Sequence, residues 1–163
     1  MLSLFTLRLE LRCPSAPDVA ELKGLWLDEE VRRYLGGTVA PEQAGARLAA
    51  TVQAWAERGY GMATVAVRES GALAGLCGLH PSDHGGLEVS YMLYPSFWGQ
   101  GYAREAVFCW LEYARDVLRA PNVIAVTQEA NTRSTRLLEA CGMNWQRSFQ
   151  EFGAMQRLYS TLG

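Results

Sequence analysis

From Leu7 to Arg12, apolar and charged residues alternate: Leu7, Leu9 and Leu11 against Arg8, Glu10 and Arg12. A period of two predicts a first strand with one buried face. Pro14 and Pro17 end it. Asp18 is the expected N-cap of a helix reaching about Leu27, with Val19, Leu22, Leu25 and Trp26 on one side. A short helical piece from Glu29 to Tyr34 stops at Gly36-Gly37. Pro41 suits the first position of a second helix, capped by Thr38 or Ala40. That helix is expected to bury Ala44, Leu48, Val52 and Trp55, and Gly59 closes it after Arg58.

Met62 to Arg68 and Ala72 to Leu79 read as strands joined by Glu69-Ser70-Gly71, a hairpin. A polar loop from Pro81 to Gly86 precedes the strand Leu87 to Tyr94. There Leu87, Val89, Tyr91 and Leu93 share one face, and Glu88, Ser90 and Met92 the other. A glycine-bearing turn leads into a long helix, about Tyr102 to Val117. Asn122 to Val126 is a buried strand, and Asn131 caps a helix ending at Gly142. The tail alternates as a final hairpin, Asn144 to Gln150 and Met155 to Thr161. Antiparallel hairpins with one strand-helix-strand crossover predict an α/β (α+β) fold: a mixed, mostly antiparallel sheet with helices on both faces. The 163 residues suit a single domain, 1–163.

Composition narrows the partners. With 49% hydrophobic and 20% charged residues the chain is able to bury a core. A formal net charge of −2 offers no general attraction to nucleic acid or an acidic membrane, so an anionic ligand needs local groups to hold it. No segment is long enough to span a bilayer, and the first residues do not read as a leader, which suits a cytoplasmic location. Cys13, Cys77, Cys109 and Cys141 are widely spaced without a histidine cluster, which argues against a zinc or redox motif.

The segment Pro95-Ser96-Phe97-Trp98-Gly99-Gln100-Gly101-Tyr102-Ala103-Arg104-Glu105 places glycines between a strand and a long helix. Free N–H groups at such a helix start form an anion site, strengthened by the helix dipole. The Gly-Lys-Ser/Thr ending of a nucleotide-binding loop and the third glycine of a dinucleotide site are both missing.

Tyr94-Pro95-x-x-Trp98-Gly99-Gln100-Gly101-Tyr102-Ala103-x-Glu105-Ala106 resembles the acetyl-CoA signature of the GNAT acetyltransferases. The likeness is nearest to the branch that acetylates the N-terminal alanine or serine of ribosomal proteins, and it covers nearly the whole chain. Gly75-x-Cys77-Gly78-Leu79 and Leu87-Glu88-Val89-Ser90-Tyr91 fall where that branch has them. Trp98 stands where the wider family has Gln or Arg. Asn131-x-x-Ser134-x-x-Leu137-Leu138-Glu139-x-x-Gly142-Met143 is similar to the family's second motif. The resemblance implies acetyl-CoA as co-substrate, its pyrophosphate held by backbone N–H groups from Gln100 to Arg104. Trp98, Gly99 and Asn131 belong to the same site. It also implies that the Leu87 to Tyr94 strand splays from the next, so that the pantetheine arm pairs there like an added strand. Many relatives carry an acidic tyrosine at the place of Leu138, which leaves Ser134 to protonate the thiolate.

The implied chemistry is direct attack by an amine. Glu88 is the candidate base, and a backbone N–H near Met92 or Leu93 is the candidate oxyanion donor. An α-amine, with a pKa of about 8, asks less of one carboxylate than a lysine at about 10.4. The resemblance to the ribosomal branch implies a protein N-terminus as the acceptor, which this difference suits. A small-molecule amine stays open, as does a non-catalytic acyl-CoA-binding module. His80 and His84 read as surface residues, and Trp26 and Trp55 as core. Arg133 and Arg136 read equally as adenosine-phosphate ligands or solvated helix charges. The free edge of the final hairpin is a candidate for pairing in a homodimer.

Overall fold

The computed structural model describes residues 1–163. The strands are β1 (Ser3–Phe5), β2 (Leu9–Arg12), β3 (Met62–Val67), β4 (Leu73–Pro81), β5 (Leu87–Leu93), β6 (Val123–Gln128), β7 (Asn144–Glu151) and β8 (Ala154–Ser160). The helices are α1 (Ala16–Leu22), α2 (Gly24–Leu27), α3 (Glu29–Arg32), α4 (Pro41–Arg58), α5 (Tyr102–Asp116) and α6 (Thr132–Ala140). All eight strands join one sheet, ordered β1-β2-β3-β4-β5-β6-β8-β7. Only β5 and β6, linked through α5, run parallel. This is the mixed sheet that the alternation predicts.

Two apolar layers sandwich it. On one face Ala106, Val107, Trp110 and Ala114 of α5 pack with Val65, Leu79, Val89 and Leu93. On the other, Leu22, Leu25, Trp26, Val31, Ala44 and Leu48 pack with Leu76 and Met92. The two faces of β5 thus enter different cores, as its alternation requires. Trp26 and Trp55 are core residues, as expected. The Tyr94 hydroxyl donates to Glu21 O at 2.5 Å and ties α1 to the end of β5.

Four local expectations change. The first strand is two: β1 folds back on β2, and Leu7 sits exposed in the turn between them. The predicted helix through Leu27 is interrupted at Lys23. Its N-cap is Ser15, not Asp18. Asp18 is the third helical residue and closes the capping box by accepting from the Ser15 N–H at 2.9 Å. Val52 also stays at the surface, because α4 offers the sheet only a narrow stripe.

Asp18 has a larger task than capping. It is buried, paired with the Arg12 guanidinium, and accepts from Thr64 Oγ1 at 3.1 Å. Burial opposes its charge, but Arg12 and Ser15 outweigh that, and the carboxyl titrates below its usual range. A depressed folded pKa stabilises the fold above the unfolded value of about 3.9, and that gain is lost as pH falls through the folded value. Asp18→Asn should therefore cost about 2 kcal/mol at neutral pH. Melting temperatures of the two proteins should converge as the pH drops below about 4. A gap that persists unchanged at low pH would exclude the charge as its cause.

Candidate active site

The site begins where β5 and β6 part. Leu87 pairs with Val123 and Glu88 with Ile124, and there the pairing ends. Beyond this the two strands part from each other, β5 running to Leu93 paired only with β4 and β6 to Gln128 paired only with β8. The gap opens into a cleft of about 610 Å³. One wall is the second half of β5, a second is β6 with the start of α6, and the third is α3 with the loop after it.

The backbone of β5 at this gap has a definite polarity. The Tyr94 N–H donates to Ala74 O at 2.8 Å. Successive strand residues face opposite edges, so Tyr94, Met92 and Ser90 turn their backbone groups to β4. Leu93 and Tyr91 turn theirs to the gap, where the Trp98 indole N–H takes the Leu93 carbonyl at 2.8 Å. Of the two expected oxyanion donors, the Leu93 N–H faces the gap. Met92 contributes its side chain to the cleft wall.

Past β5, a 3-10 turn over Pro95–Phe97 leads to Gly99 and Gly101, with φ of +75° and +83°. Left-handed backbone is costly for other residues, and here it turns the chain so that α5 begins at Tyr102. The first helical bond runs from Glu105 N–H to Gly101 O at 3.0 Å. From Gly99 to Arg104 no backbone N–H has a partner within the chain. Gln100, Tyr102, Ala103 and Arg104 lie in this run as expected, and the donors suit a pyrophosphate.

Arg8, a residue that the sequence pattern does not single out, braces this cradle from below. Its Nε donates to Glu105 at 2.7 Å and its Nη1 to Gln100 O at 2.8 Å, and it stacks over the Tyr102 ring at 4.5 Å. Burial opposes the charge of Glu105, but Thr6 and Arg8 outweigh it and lower its pKa. Arg133 lies over the Trp98 ring at 4.4 Å, and with Arg136 it lines the cleft. With Arg33, these two arginines outnumber the cleft's one lining carboxylate, Glu30, and give it a local positive charge that the whole chain lacks.

Asn131 and Ser134 come together as the motif implies. Asn131 caps α6, its Oδ1 accepting from the Ser134 N–H at 3.3 Å, and both line the cleft. Leu138 is buried against the cleft floor. The residue not anticipated is Tyr91, whose hydroxyl bonds to Ser134 Oγ across the gap. Burial pushes the Tyr91 phenol far above its ordinary value, so it stays protonated and is able to donate to Ser134.

Glu88 occupies the last paired rung, just outside the cleft wall. Its carboxylate accepts from Ser82 Oγ at 2.7 Å. His84 packs on Phe149, ring centres 4.9 Å apart. His80 differs from its surface reading: its Nε2 lies 2.7 Å from Ser90 Oγ, and Ser90 lines the cleft.

A parallel strand pair that opens beside an unpaired N–H cradle offers an extended, phosphate-bearing ligand a strand edge and an anion site. Residues 8–144 match the family described as Acetyltransferase (GNAT) domain, and the chain belongs to it. It is an acetyl-CoA-dependent acyltransferase. The Bacillus subtilis protein YkkB is 28% identical, the alignment covering 96% of this chain and 93% of that protein. The uncharacterized N-acetyltransferase p20 of Bacillus licheniformis is 29% identical over 96% of this chain and 86% of its own length. Among solved structures, a GNAT-family acetyltransferase from Bacillus anthracis superposes with a TM-score of 0.85 at 21% identity, covering 98% and 97% of the two chains. The ribosomal-protein-S5-alanine acetyltransferase of Vibrio fischeri does so with a TM-score of 0.81 at 16% identity, covering 98% and 96%. These two likenesses establish the fold.

No helix of the chain is long and apolar enough to cross a membrane.

Proposed function

We propose that this enzyme acetylates a protein N-terminal amine by direct attack on acetyl-CoA, within the cleft between β5 and β6. The observation that carries this reading is the placement of groups along one gap. Glu88 stands at its closed end, the Leu93 N–H on its edge, Ser134 on its floor, and the unpaired N–H run from Gly99 to Arg104 at its mouth.

The Gly99 to Arg104 backbone, with Trp98, Asn131, Arg133 and Arg136, holds the carrier. The free edge of β5 then aligns the pantetheine arm as a strand would. An α-amine loses its proton more readily than a lysine, so the single carboxylate at the closed end suffices as the base, reached through intervening groups. The amine adds to the thioester carbon, and the Leu93 N–H steadies the oxyanion. Collapse releases the thiolate, which takes its proton from Ser134, directly or through a water, and the proton shed by the adduct nitrogen restores the serine. The likeness to the Vibrio fischeri enzyme, whose name specifies an alanine of ribosomal protein S5, supports a protein acceptor.

The test is thiol release from acetyl-CoA over a panel of short peptides, polyamines, aminoglycosides and free amino acids, with the acetylated atom located by mass spectrometry. Acetylation at the α-amine of peptides is expected. Turnover on small amines alone would overturn the acceptor, and binding without turnover on any amine would overturn the transfer.

A further inference from the structure

His80 and Ser90 form a hydrogen-bonded pair that the foregoing chemistry does not use. The His80 Nδ1 lies 2.9 Å from Pro81 O, a carbonyl that only accepts, so the neutral ring carries its proton on Nδ1. The lone pair is then on Nε2, where Ser90 Oγ donates at 2.7 Å. Ser90 forms part of the cleft wall, on the same face of β5 as Glu88 and Met92. Gly78, directly across the ladder from Ser90, brings no side chain between them, which leaves room for the imidazole two residues on. Glu88 is the ladder partner of His80 itself.

A hydroxyl that opens on a reaction cleft and is backed by an oriented imidazole is a proton acceptor waiting for a donor. The pair is not needed to hold the strands, since β4 and β5 already pair from Gly75↔Leu93 to Pro81↔Leu87.

We infer that Ser90 takes the proton from the acceptor ammonium and passes its own to His80, making Ser90 a catalytic residue and His80 its positioning and relay partner. This deepens the proposed mechanism and rests on it, naming the groups between the amine and Glu88. The ammonium gives one proton to Ser90 Oγ while the Ser90 O–H gives one to His80 Nε2. The amine becomes neutral and attacks, and the imidazole becomes an imidazolium. Glu88, across the strand pair, is the anion that stabilises that cation. His80 is half-buried and passes the proton on to Glu88 across the ladder, which returns it to water after the product leaves.

His80→Ala, His80→Gln and Ser90→Ala should each lower kcat on the order of 10²-fold, with the acetyl-CoA dissociation constant changed by less than about threefold. His80→Gln keeps a hydrogen-bonding group beside Ser90, so its loss of rate isolates proton uptake from packing. Free imidazole should restore part of the activity of His80→Ala and none of Ser90→Ala. The double variant should be no slower than either single one. Near wild-type kcat in His80→Gln would overturn the relay, as would a rate loss in His80→Ala that imidazole does not relieve. A wild-type enzyme inert toward every amine would instead remove the proposed function, so the two failures are separable.

Discussion

Ser134→Ala should lower kcat on the order of 10²-fold while acetyl-CoA binds within a few-fold of its wild-type affinity. The direction follows from how the hydroxyl is held. The Ser134 N–H is taken by Asn131 Oδ1, which fixes the first turn of α6 against the cleft. Tyr91, kept protonated by burial, is able to donate to Ser134 Oγ, and the serine proton is then free to point at the leaving sulfur. Leu138 offers no second acid one turn later. Without that donor the departing sulfur carries its full negative charge into the cleft, which slows its release. Tyr91→Phe should cost less, about tenfold, because the serine then keeps its proton and loses only its orientation. In Ser134→Ala that tyrosine has nothing left to orient, so the double variant should match Ser134→Ala alone. Removing Ser134 also leaves the Tyr91 hydroxyl without a partner at a cost of about 1–3 kcal/mol, so melting temperatures must accompany the kinetics. A folded Ser134→Ala enzyme with undiminished kcat would mean that the thiolate leaves unaided.

The second large effect concerns the fold beneath the site. Gly78→Ala should destabilise the protein by about 3 kcal/mol or more, lowering its melting temperature by roughly 10 °C. A Cβ at Gly78 would lie 2.0 Å from Gly61 O and 2.6 Å from Met62 Cα, backbone atoms where the chain enters β3 across the ladder. No rotamer relieves such a contact, so β3 or β4 must shift. Gly59 gives the control. Its φ of +78° is left-handed, but nothing lies within 4 Å of an added Cβ, so Gly59→Ala should cost about 1 kcal/mol. Thermal unfolding of the two variants separates steric exclusion from backbone preference. Equal losses would show that β3 yields at little cost. Gly78 also faces Ser90 across the ladder, so the variant that folds at low temperature should be a slow enzyme as well.

The sequence pattern carries much of this protein. Alternation over β3, β4 and β5, the Pro41 start of α4, and the glycines before α5 are local signals, and each element appears within a few residues of its expected place. The errors are local too. Ser15 and Asp18 are both good capping residues, and periodicity does not choose between them. The choice came from Arg12 and Thr64, which draw the Asp18 carboxylate inward.

By itself, then, the sequence determined the order of elements, the two-faced character of β5, the anion cradle and the Asn131–Ser134 pair. All of these depend on residues a few positions apart. The tertiary structure alone decided where β5 and β6 separate, which of Met92 and Leu93 turns its N–H to the gap, and which side chains meet there. Arg8 braces Glu105 across 97 residues, Tyr91 reaches Ser134 across 43, and His80 finds Ser90 through a strand register. Such pairs leave no periodic trace, because their energy comes from the packing of distant segments against a shared sheet rather than from any preference of the chain nearby.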